Sequence, residues 1–154
     1  MKKLHLVLTY FHRIQGPSIF LSFPDAKLEE DIINKLMKFF DLDINETFFE
    51  IILINKKKRI LNLYFEIPSE WARGKKEMAM LSLIMDEKFN SRLTWSFIVE
   101  ASRKIISTPS IFKAFYKYDD FREDDIEIDI AYETIKILLF DCLSSLIKRM
   151  ENSQ

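Results

Sequence analysis

Apolar and polar positions change period several times along the chain, and each change marks an element. Residues 3–11 are apolar and β-rich and predict a strand, and residues 18–23 predict a second, closed by Pro24. Between them, residues 12–17 (HRIQGP) carry Gly-Pro punctuation, so strand, short loop and strand predict an antiparallel hairpin. Asp25 is a residue type suited to an N-cap. After it Leu28, Ile32, Leu36 and Phe39 or Phe40 recur at helical spacing. Glu29, Glu30 and Asp31 come early and Lys35 and Lys38 late, as the helix dipole favours, which predicts a helix over 26–40.

Residues 48–54 predict a strand, 55–58 a polar turn, and 59–67 the returning strand, ended by Pro68. Residues 69–76 (SEWARGKK) predict a loop with three cationic side chains. The stretch 77–85 (EMAMLSLIM) is almost continuously apolar. Its period alone allows a piece of helix, but its short length and the Gly before it favour a buried central strand. Asn90 or Ser91 is placed to cap a helix with Leu93, Phe97, Ala101 and Ile105 on one side, and Thr108-Pro109 stops it. Residues 110–118 are aromatic-rich and show no clear period. Seven acids against Arg122 mark 119–129 as a solvated linker. Ala131, Ile135, Leu138, Cys142, Leu146 and Met150 then predict an amphipathic helix of about 22 residues, roughly 33 Å long.

The expected order is ββαβββαα, an α/β (α+β) fold. Five strands make an antiparallel sheet with helices on both faces, as a strand as apolar as 77–85 requires. At 154 residues the chain is expected to form a single domain. Nothing in 1–16 resembles a cleavable leader, and the apolar region 135–147 is interrupted by Lys136, Asp141, Ser144 and Ser145, so no membrane span is expected.

Composition narrows the function classes. Lys plus Arg is 23 and Asp plus Glu is 24, a balance with no global field for nucleic acid or an anionic membrane. One cysteine, Cys142, excludes an intrachain disulfide, and with only two histidines no structural metal site is expected. This usage fits a reducing, cytoplasmic compartment. There are two glycines, Gly16 and Gly74, where average usage gives about eleven. Neither a dinucleotide-binding loop nor a phosphate-binding P-loop can be written with them, and each is expected where the backbone needs one. No Ser/His/Asp arrangement is evident, so no cofactor and no intrinsic small-molecule chemistry are expected.

Two segments carry a family resemblance. Residues 8–20 (LTYFHRIQGPSIF) resemble the opening strand, turn and strand of folliculin-type proteins, and residues 69–86 (SEWARGKKEMAMLSLIMD) resemble the folliculin segment in which Ala-Arg-Gly leads into an apolar strand ending in Met-Asp. The likeness continues through 88–97 with Trp95 and covers most of 1–105, and both glycines of the chain fall inside the two motifs. The order ββαβββαα is that of the longin fold, so the resemblance implies a longin-like domain over 1–154. In this family a DENN-type module follows the longin domain, and these 154 residues do not include it.

In folliculin-like activators the arginine of Ala-Arg-Gly acts as a finger toward a Rag-type GTPase. The resemblance places that role on Arg73, between Ala72 and Gly74, with Gly74, Lys75 and Lys76 as partner-binding residues. A guanidinium is planar, permanently charged and bidentate, and suits charge developing on a transferring phosphoryl group. Gly74 is expected to give the loop its freedom. The implied partners are a Ras-superfamily, Rag-like GTPase and another longin chain, with at most peripheral membrane association. The alternative is a non-catalytic longin interaction or dimerisation module, a trafficking adaptor or an exchange-factor scaffold, pairing through an edge strand. From the residues alone, Arg73 is a solvated arginine, His12 a hydrogen-bonded surface histidine, Lys56 to Arg59 a solvated hairpin tip and Cys142 a small core residue.

Overall fold

The structure, a computed structural model, describes residues 4–25, 27–41, 48–86, 88, 91–119 and 125–152. Its elements follow the expected order: β1 (His5–His12), β2 (Gly16–Phe23), α1 (Glu30–Asp41), β3 (Phe48–Leu53), β4 (Lys58–Pro68), β5 (Lys76–Asp86), α2 (Ser91–Ser107) and α3 (Ile126–Asn152). Short 3₁₀ helices at Ile54–Lys56 and Ile111–Tyr116 complete it. The five strands form one antiparallel sheet in the order β2-β1-β5-β4-β3. β5 is thus central, and the near-continuous apolar run reads as a strand because both its faces are covered.

Alternation along the strands divides the core in two. Leu6, Leu8 and Tyr10 of β1, with Leu81 and Leu83 of β5, face the larger core under α2 and α3. Val7, Ile60 and Ile84 face the smaller core, which Ile32 and Leu36 of α1 cover. The α1 side also holds buried polar groups, each with a partner: Ser82 Oγ donates to Asn62 Oδ1 at 2.7 Å and Thr9 Oγ1 to the Met80 carbonyl at 3.2 Å. Helices cover both faces of the sheet, as expected, with α1 on one and α2 and α3 on the other.

Several boundaries differ from expectation. α1 begins at Glu30, not at 26, and the Ile32 and Ile33 amides bond the Glu29 carbonyl, so Asp25 is not its cap. Ser91 is already helical and Asn90 lies outside the described residues. The turn expected at 55–58 is present, one residue earlier, as a 3₁₀ turn over Ile54–Lys56 closed by Lys57 with φ 53°.

The largest correction concerns 119–129. α3 starts at Ile126 and runs 27 residues, about 40 Å, so the second half of the acidic segment is helix, with Ile128 buried. Glu127 pairs with Lys113, Asp129 with Lys117 at 2.6 Å, and Asp119 with Arg13 at 3.0 Å. These acids are placed by the chain's own cations, while 120–124 lie outside the described residues.

Candidate functional site

The two glycine-bearing motifs are 58 residues apart in sequence and meet at one end of the sheet. β1 and β5 pair only as far as Tyr10 and Ala79. Beyond that point β1 continues with β2 to the turn at 13–15, and β5 continues with β4 to the loop at 69–75. An open cleft of about 730 Å³ lies between the two hairpins. Tyr10, Phe115 and Tyr116 line its inner part, Arg13 and Ile14 one rim, and Trp71 and Arg73 the other.

The loop carrying Arg73 is a fixed turn, organised by Ser69. The Ser69 amide donates to the Lys75 carbonyl at 3.0 Å and the Lys75 amide to the Ala72 carbonyl at 3.0 Å. Ser69 Oγ accepts the amides of Trp71 and Ala72 and donates to Glu77 Oε2 at 2.6 Å. The Tyr116 hydroxyl donates to the same carboxylate oxygen at 2.7 Å. Trp71 stands edge-on to Phe112 and Tyr116, with the Lys113 ammonium 5.1 Å from its ring centre. The aromatic-rich stretch without a clear period is therefore the buttress of this loop.

Gly74 does not supply the freedom expected of it. A Cβ added there meets nothing within 4 Å, and its φ lies outside the left-handed region; Lys75 takes that conformation, with φ 65°. Gly16, by contrast, has φ 75° and closes the opposite hairpin.

Among the four residues singled out from sequence, Arg73, Gly74 and Lys76 line the cleft. Arg73 is exposed and has no hydrogen bond or ion pair with any described residue. Lys76 pairs across the sheet with Glu66 at 2.7 Å, which fixes its ammonium. Lys75 lines a separate depression of about 480 Å³ with Ser69, Glu70 and the 106–112 turn. The cationic run is thus split between two sides of the loop.

The cleft also holds residues to which the sequence reading gave no role. Arg13 lies on the rim facing the Arg73 loop, held by Asp119, whose side chain is 9% exposed. Burial raises the Tyr10 phenol above its ordinary value, and Tyr118 and Asp119 add to the shift. His12 Nδ1 accepts the amides of Ile14 and Gln15, so this histidine caps its own turn. Arg13 sits inside the quoted Gly-Pro motif and Trp71 next to Ala72-Arg73, but only the sheet topology brings those segments together.

Cys142 faces α2 on a half-buried flank of α3, where burial raises its thiol pKa, the opposite of activation. Among the described residues no group of three or more His, Cys, Asp or Glu is placed to hold a metal ion, and no helix is long and apolar enough to cross a membrane. No protein-family model matches the sequence, and no curated protein matches it.

Proposed function

We propose that the chain is a longin-type regulator of a Ras-superfamily, Rag-like GTPase, and that Arg73 is a finger supplied in trans to the bound nucleotide. The element order and the one-and-two helix layering support the longin resemblance. The observation that carries the finger is the state of Arg73: an exposed guanidinium without a hydrogen-bond or ion-pair partner among the described residues, presented by a turn that Ser69, Glu77 and Tyr116 hold in place. Rigidity matters because a finger acts only when its charge is positioned before the reaction begins. Stimulation in trans of this kind is worth about 10³–10⁵ in rate. Single-turnover GTP hydrolysis by Rag- or Arf-like GTPases, at saturating chain, is expected to accelerate with the wild type and to fall to the intrinsic rate with Arg73→Ala. Equal rates for the two remove the finger.

A second reading is favoured by β3. It is an edge strand, and Ile52 on it and Ile54 just beyond it are exposed. A non-catalytic module that adds a partner strand there fits this edge. Capture of a GTPase that survives Arg73→Ala, with hydrolysis unchanged, selects this reading. Faster release of a fluorescent nucleotide, without faster hydrolysis, selects an exchange scaffold instead.

A further inference from the structure

α3 is apolar on two opposite sides. One side, through Ile128, Ile135, Leu139 and Leu146, is buried in the core. On the other, Ile126, Ile130, Ile137, Phe140 and Ile147 are between 39% and 72% exposed. A helix with a second apolar side normally has that side covered too, and these residues follow one line along the helix, a stripe interrupted at Glu133 and Ser144. Its spacing is regular. With Glu133 and Ser144 filling the two intervening places, the residues follow each other at alternating intervals of four and three, the period of a helix seam that packs on another helix.

We infer that a second copy of this chain covers the stripe, with the two α3 helices antiparallel. The polar residues of the seam set the orientation. In a parallel pair Glu133 meets Glu133 of the other copy, and like charges face each other inside the contact. In an antiparallel pair centred between Ile137 and Phe140, each Ile137 meets a Phe140, each Ile130 an Ile147, and each Glu133 a Ser144 hydroxyl that can donate to it. The flanks agree. Glu127 and Lys148 occupy the same edge of the seam 21 residues apart, three repeats of seven, so the antiparallel arrangement sets each Glu127 beside a Lys148. Both are exposed. None of the residues lining the cleft of Arg73 belongs to α3, so pairing leaves that cleft open. This inference stands on α3 alone and does not depend on the GTPase reading.

The test is the mass of the 154-residue chain by light scattering during size exclusion, over a range of concentrations. A dimer is expected, and Ile137→Glu/Phe140→Glu is expected to give a single chain with an unchanged far-ultraviolet circular dichroism spectrum and a lower melting temperature, because both side chains are more than half exposed, Phe140 with its ring beside the half-buried Phe23. Lys148→Glu alone is expected to raise the dissociation constant several-fold, and adding Glu127→Lys to restore it in part, since that change also gives up the pair with Lys113 within the chain. A single-chain mass at every concentration overturns the inference, as does a dimer that survives Ile137→Glu/Phe140→Glu. Failure of the double charge exchange to rescue overturns the antiparallel register.

Discussion

The Ser69 hydroxyl lies 2.6 Å from the Glu77 carboxylate, and this contact ties the loop of Arg73 to the first residues of β5. The same hydroxyl receives two loop amides. One side chain therefore satisfies the turn from inside and anchors it to the sheet. Ser69→Ala removes three hydrogen bonds and leaves Tyr116 as the remaining side-chain donor shown to the half-buried Glu77 Oε2. It is expected to destabilise the chain by about 1–3 kcal/mol and to speed amide hydrogen exchange at Trp71 and Ala72. Unchanged exchange at those two amides would show that the loop is held by other contacts.

The two glycines are expected to respond differently to the same substitution. Gly16 has φ 75°, a conformation that costs an L side chain about 1–2 kcal/mol, so Gly16→Ala should lower the free energy of unfolding by that amount. Gly74 has open space and no left-handed backbone, so Gly74→Ala should stay within about 0.5 kcal/mol. Urea titrations of both variants check this, and a Gly74→Ala loss as large as that of Gly16→Ala contradicts it.

How much of this was legible in the sequence differs between fold and site. Period and punctuation were enough for the element order and for β5 as a covered central strand, because 77–85 has no polar face to expose. Residues 119–129 misled because charge was counted without partners: Glu127 and Asp129 read as solvated acids until Lys113 and Lys117 stood opposite them. The outer stripe of α3 was also missed, since a helix with apolar residues on two sides shows the inner period and hides the outer one. Arg73 and its exposure were legible from its local sequence, but the cleft was not. Its walls come from segments far apart in the chain, and only the early end of the β1–β5 ladder brings them face to face.

His5 gives a pH signature. Its Nε2 lies 2.5 Å from Ser22 Oγ, and burial lowers its pKa from 6.5. In the window just below pH 6.5 the folded chain binds fewer protons than the unfolded one, so stability falls as pH falls. The contribution is fully present above pH 6.5 and is lost once pH drops through the lower, folded value. Urea midpoints measured across this window are expected to decline for the wild type and to decline less for His5→Asn. Equal slopes would assign the pH dependence to other groups.

The central claim is that the Arg73 guanidinium meets charge that develops only during phosphoryl transfer. Binding of the chain to a Rag- or Arf-like GTPase, loaded with GDP alone or with GDP and aluminium fluoride as a transition-state mimic, tests it most directly. The expected result is tighter binding to the mimic by the wild type and loss of that preference in Arg73→Ala, while affinity for the GDP form is unchanged. A preference that persists without Arg73, or that is absent in the wild type, contradicts the account.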